Sequence, residues 1–153
     1  MSTPTSSHAY GIGVIALLIG MSVSVVFYTS FYIPESLAKP SVSEHILHPE
    51  ADFIIEIVLG AVIDGNENYV PNQSKVLLGI SNKVIWQNND DTPHTVTPDH
   101  RASDAYSGDF GSSGVIKPGD SYEFLFTEVQ EIPYHCEPHP WMTGTISIEL
   151  SRF

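Results

Sequence analysis

Cys136, His139 and Met142 stand at Cys-x2-His-x2-Met spacing inside the segment Pro133-Tyr134-His135-Cys136-Glu137-Pro138-His139-Pro140-Trp141-Met142-Thr143-Gly144. A thiolate, an imidazole and a thioether are all metal donors, and a free Cys with no such neighbours would read as a small core hydrophobe. Equal spacing would suit a helix, but Pro138 and Pro140 hold Glu137 and His139 in extended conformations. The segment is therefore expected to be a tight, stiff loop between two strands that aims its donors at one point. A second imidazole is available upstream, from His94 in Asp91-Thr92-Pro93-His94-Thr95-Val96, beside a predicted strand. Two imidazoles and a thiolate in a plane, with a weak axial thioether, suit copper moving between Cu(I) and Cu(II). Zinc also binds Cys and His, but rarely takes a thioether as its fourth ligand. Cys136 is the only cysteine, which excludes an intrachain disulfide and any zinc site needing two thiolates from this chain.

Short strands must position these residues. From Ala51 onward, brief β-branched and aromatic runs alternate with turn signals, the rhythm of an all-β sandwich or barrel. Strands are expected at Phe53 to Leu59, Ser74 to Leu78, Lys83 to Gln87 and Thr95 to Thr97. Tyr122, Phe124 and Phe126 alternate with polar or outward residues, as do Ile146, Ile148 and Leu150, so each set is expected to line a buried face. Pro118-Gly119-Asp120 has the Pro and Gly order of a type II turn. The polar, Gly-rich stretch His100 to Ser113 reads as a surface loop. Trp86 reads as core. Strand alternation points His135 away from Cys136, and His100 reads as solvated. No αβ alternation or phosphate-binding Gly loop is present.

The N-terminal third differs. Residues 1–10 form a Ser- and Thr-rich tail, and residues 11–33 carry no charged side chain. At ~1.5 Å per residue this run can cross a hydrocarbon core of ~30 Å, and Tyr28, Phe31 and Tyr32 sit where interfacial aromatics would. The rival is a cleaved signal peptide, with Ser36-Leu37-Ala38 as its cleavage region. The absence of any Lys or Arg before Lys39, and the length of the run, favour an uncleaved transmembrane anchor. Residues 34–50, with Pro40, Ser41 and two histidines, read as a linker, and residues 51–153 as the copper-binding domain.

Tyr134-His135-Cys136 followed by Glu137-Pro138-His139-Pro140, with Met142 and Gly144, resembles the ligand loop of the amicyanin group of plastocyanin-like cupredoxins. Val84-Ile85-Trp86-Gln87-Asn88 leading to Pro93-His94 resembles the segment bearing the first histidine ligand in the same family. The resemblance covers roughly residues 52–150. It implies a Greek-key cupredoxin β-sandwich, an electron-carrier role, His94, Cys136 and His139 as equatorial copper ligands, and Met142 as the axial one. Thr95 stands where many members have an Asn linking the two ligand loops, which implies a softer surround. Glu137, directly after the cysteine, is expected to face solvent.

Charge bounds the partners. Six Lys and Arg against 18 Asp and Glu give a formal charge of −12 in 153 residues, so the phosphate-neutralising surface of a nucleic-acid binder is missing. The expected partners are redox proteins with basic docking surfaces. The expected function is a type 1 copper electron carrier rather than an enzyme, anchored in the membrane through residues 11–33 with its copper domain on the extracytoplasmic face. One alternative is an open copper position acting on a small ligand such as nitric oxide, as in nitrosocyanin-type proteins, with Asp99, Glu137 or His100 near the metal. A copper storage or delivery module is a third reading, which three methionines support poorly.

Overall fold

A computed structural model of the chain describes residues 7–112 and 114–151. Residues 1–6 of the expected tail, Ser113 of the expected loop and the last two residues of the domain lie outside the described residues. The chain divides between Lys39 and Pro40 into two compact units.

In the first unit, helix α1 (Ser7–Phe27) continues through a π-helical turn (Tyr28–Tyr32) into α2 (Ile33–Ser36). The run Ala9–Ser36, 28 residues, is long and apolar enough to cross a membrane, and it contains the expected span 11–33. Three of its hydroxyls do not demand water. Ser22, Ser24 and Thr29 each donate to the carbonyl four residues earlier, at 2.8, 2.8 and 2.9 Å, so their donors are satisfied within the helix, as hydrocarbon surroundings require.

The second unit opens with a one-turn helix, α3 (Glu44–Leu47). It continues through β1 (Asp52–Ile57), β2 (Tyr69–Val70), β3 (Gln73–Leu77), β4 (Lys83–Asn88), β5 (Thr97–Pro98), β6 (Ser103–Asp104), β7 (Gly108–Asp109), β8 (Ser121–Leu125), β9 (Gln130–Cys136) and β10 (His139–Glu149). Two four-stranded mixed sheets form, in the orders β2-β1-β4-β8 and β3-β10-β9-β5. Period-two alternation sends Ile55, Ile57, Val84, Trp86 and Phe124 from the first sheet, and Val76, Ile132, Tyr134, Ile146 and Ile148 from the second, into one shared core. This is the two-sheet β-sandwich expected from the sequence. The Lys117–Asp120 turn closes through Asp120 N–H to Lys117 O at 2.9 Å, with Gly119 at φ +84°, as its residue order required.

Four expectations need correction. The segment from Pro133 to Gly144 is not a loop: β9 runs through Cys136 and β10 starts at His139, so only Glu137 and Pro138 turn the chain. Pro140 fits because the β9–β10 register shifts between His139 and Thr143, where no ladder bond is owed. The stretch 100–113 is not simply a surface loop either, since β6 and β7 pair within it and bury Asp104 and Phe110. The strand expected at Thr95 to Thr97 lies instead at Thr97–Pro98, and His94 makes an isolated bridge with Ile116. Leu150 falls beyond the end of β10 and is exposed.

Where a linker was expected, residues 40–50 dock onto the sandwich. Ile46 packs against the core, and the buried Asn82 carboxamide donates to Ile46 O at 2.9 Å and Phe126 O at 2.6 Å while accepting from Gly79 N–H at 2.7 Å. The His45 ring lies over Gly79 (φ +80°), leaving no room for a Cβ there. A soluble chain starting at Pro40 is therefore expected to unfold in urea about 2 kcal/mol more stably than one starting at Pro49. The longer chain keeps the Ile46 packing and the partner of a buried amide. Equal urea midpoints for the two would show that the docked segment contributes nothing.

Candidate metal centre

Two strand ends and an isolated bridge bring the donors together. β9 ends on Cys136 and β10 begins on His139, and the two are cross-strand partners. His94 follows β4 and is fixed by two backbone bonds with Ile116, His94 N to Ile116 O at 3.1 Å and Ile116 N to His94 O at 2.7 Å. Gly144, opposite Tyr134, has no space for a side chain because the Tyr134 ring covers it. That packing holds β10 close to β9 just behind the donors.

Cys136 Sγ lies 3.6 Å from His94 Nδ1 and 3.5 Å from His139 Nδ1. The three donor atoms are all within 4.8 Å of one another, with His94 and Cys136 buried and His139 half-buried. Met142 is fully buried on β10, in the stretch where the register shifts. Trp141 is exposed, and its ring lies 5.5 Å from that of His139.

The surroundings prepare the donors. Burial alone would push the Cys136 thiol up. Hydrogen bonds from His94, from the Thr95 N–H at 3.3 Å and from His139 outweigh it and bring the thiol down to about 6. The sulfur is then mostly thiolate at neutral pH, the form that binds metal. On the far side of His94, Nε2 meets the Asp90 carboxylate at 2.8 Å, with both side chains fully buried. Burial would raise the Asp90 carboxyl, but the N–H groups of Gly60 and Asp91, together with His94, hold it below the ordinary carboxylate range. The Asp90 carboxylate anchors Nε2 and turns Nδ1 toward the sulfur, the arrangement that orients a ligating histidine.

Thr95 corrects another expectation. In place of a softened surround, its hydroxyl accepts from Glu137 N–H at 2.9 Å while its own N–H binds Sγ, so the two donor segments are linked through a hydroxyl. Tyr69, buried on β2, donates to Thr95 O at 2.6 Å and braces the same residue from behind. Glu137 is exposed, as expected. His135 is half-buried and bonds Asp99 at 2.6 Å, outside the donor trio, and His100 is exposed. Asp90 and Tyr69 were not singled out from sequence. Asp90 sits in the run Asn88-Asn89-Asp90-Asp91, which looks like a solvated turn, and its one signal is the four-residue spacing to His94.

The donor set fits copper. One thiolate and two imidazoles stand together, with a buried thioether on the adjoining strand, a set in which soft sulfur and borderline nitrogen serve both copper oxidation states. The family model for copper-binding proteins of the plastocyanin/azurin family matches residues 59–149. Amicyanin from Paracoccus denitrificans is 26% identical over 94 residues, covering 61% of this chain and 70% of that protein. Among solved structures, a purple cupredoxin from Nitrosopumilus maritimus superposes with a TM-score of 0.51 at 26% identity, over 63% of this chain and 99% of that one.

Proposed function

The chain belongs to the plastocyanin/azurin family of copper-binding proteins, and from that premise we propose that it is a membrane-anchored one-electron carrier whose copper is held by His94, Cys136, His139 and Met142. The observation that carries this reading is the preformed trio, a thiolate sulfur with an imidazole Nδ1 at 3.5 Å on one side and at 3.6 Å on the other. Copper bound there would supply a one-electron Cu(I)/Cu(II) couple. The protein contributes rigidity. His94 is clamped by Asp90 and by its bridge to Ile116, and Cys136 is tied through Thr95, so the donors need little rearrangement when the charge changes.

Met142 as the axial donor closes the position that the small-ligand alternative would need open. Asp99, Glu137 and His100, which that alternative would bring to the metal, are exposed and outside the donor group. Azide is therefore expected to leave the spectrum of the copper-loaded protein unchanged, and to shift it in Met142→Ala. An azide-sensitive spectrum in the unmodified protein would favour an open site.

Anchoring by the Ala9–Ser36 helix, with the copper domain on the extracytoplasmic face, is supported by the length and apolarity of that helix and by a thiolate site best loaded away from cytosolic thiols. Electrons enter through the His139 edge, where Trp141 and the exposed Pro138 and Pro140 give apolar contact within an acidic surface. That surface suits a basic partner, with encounters that weaken as salt rises. Trp141→Lys is expected to slow exchange with a cationic redox protein about tenfold, the effect of losing one central contact, with copper content and visible spectrum unchanged. Equal stopped-flow rates across ionic strength would remove this face as the port.

A further inference from the structure

We propose that Asn72 is a site of N-linked glycosylation, its carboxamide carrying an oligosaccharide transferred from a lipid-phosphate-linked donor; this rests on the extracytoplasmic placement proposed above. Of the six asparagines in the chain, only Asn72 is followed at the second position by Ser or Thr, in Asn72-Gln73-Ser74, and the intervening residue is not proline. That is the acceptor pattern of the transferase, and it marks a surface turn in an exported domain.

The fold treats this asparagine differently from four of the other five; Asn89 is likewise exposed but has no Ser or Thr two residues on. Asn82 and Asn88 are buried with their carboxamides bonded to main-chain groups, Asn68 bonds the next residue's N–H, and Asn66 donates to Gly60 O. Asn72 is exposed, and among the described residues its carboxamide bonds no protein group. Its backbone is held all the same, because Asn72 O accepts from Thr145 N–H at 2.8 Å. A fixed main chain with a free, outward amide on a turn between two strands is where a bulky polar substituent fits without disturbing the core. The residues Gly65 to Asn72 line a shallow polar groove beside it that can seat the first sugar.

Placement gives the glycan a physical role. Asn72 directly precedes β3, and β3 is an edge strand of its sheet, with an unpaired backbone face open to pairing with another chain. A hydrated oligosaccharide at the head of that strand blocks such pairing. The Ser74 hydroxyl is buried in the folded state and donates to Pro71 O at 3.3 Å. The transferase can therefore read the Ser74 hydroxyl only before β3 joins β10, while the chain is emerging across the membrane. In the transfer, Asn72 Nδ2 forms a bond to the anomeric carbon of the sugar, the bond from that carbon to the lipid phosphate oxygen breaks, the lipid phosphate leaves with the electron pair, and Nδ2 loses one proton. No oxidant or reductant takes part.

The test uses full-length chain purified from the membranes of its own cells, with intact-mass measurement and peptide mapping, alongside protease added to spheroplasts. The expected result is a copper domain cut by external protease and an Asn72 peptide heavier than its sequence by hexose or N-acetylhexosamine units. Asn72→Gln and Ser74→Ala should return the sequence mass, and Ser74→Thr should keep the added mass. A domain open to external protease with an unmodified Asn72 peptide would overturn the glycan alone. A domain or linker cut only after the membrane is opened with detergent, with an Asn72 peptide at its sequence mass, would overturn the placement and the glycan together.

Discussion

Cys136→Ser is expected to abolish the intense visible absorption of the copper-loaded protein and to weaken copper binding by more than about 100-fold, since losing even an outer-shell partner of a metal ligand can cost that much. The reason is local. Cys136 is the only thiolate donor in the chain, and it is the atom both imidazoles face, at 3.6 and 3.5 Å. Serine preserves volume and can still accept the Thr95 N–H, so the metal-free fold should survive. Circular dichroism and thermal unfolding of the metal-free variant should therefore match the unmodified protein, while titration with copper should separate them. A variant that kept a strong visible band would place the chromophore elsewhere.

Asp104→Ala is expected to have the largest effect on stability, about 3–5 kcal/mol. Asp104 is buried at the turn of the β6–β7 hairpin and accepts from the N–H groups of Tyr106, Ser107 and Thr127 and from the Thr127 hydroxyl. It fastens that hairpin to the end of β8, and alanine would leave four donors unmatched. Burial would raise its carboxyl, yet these bonds hold it below the ordinary value. A carboxylate depressed in the folded state contributes stability that is fully present above its unfolded value, near ~3.9, and is lost as pH falls through the folded value. Urea midpoints of the unmodified protein should thus fall below about pH 4, and the difference from Asp104→Ala should narrow over the same interval. A constant difference down to pH 2 would mean that the charge of Asp104 contributes nothing.

The sandwich was legible in the sequence because alternation is a local pattern, and Tyr122-Glu123-Phe124-Leu125-Phe126 or Ile146-Ser147-Ile148 reveals its buried side without knowledge of any partner strand. The donor trio was legible because proline-bounded spacing and residue chemistry restrict what Cys136, His139 and His94 can do. Asp90, Tyr69 and Asp104 were hidden because their roles depend on partners far away in sequence: Gly60 for Asp90, Thr95 for Tyr69 and Thr127 for Asp104. A polar side chain among polar neighbours looks solvated until the fold closes over it. The docked segment 40–50 was missed for the same reason, since Ile46 and His45 acquire meaning only through Asn82 and Gly79. Thr95 was read as a weaker substitute for an amide because sequence shows which residue is absent and not what the hydroxyl reaches.

The most direct test of the electron-carrier reading is a redox titration of the copper-loaded full-length protein in detergent, followed by visible absorption with metal content measured before and after. One copper per chain is expected, with an intense thiolate-to-copper band in the oxidised protein. That band should bleach on uptake of one electron and return on reoxidation, with the copper retained throughout. Bound copper with no thiolate band, or copper released on reduction, would contradict the account.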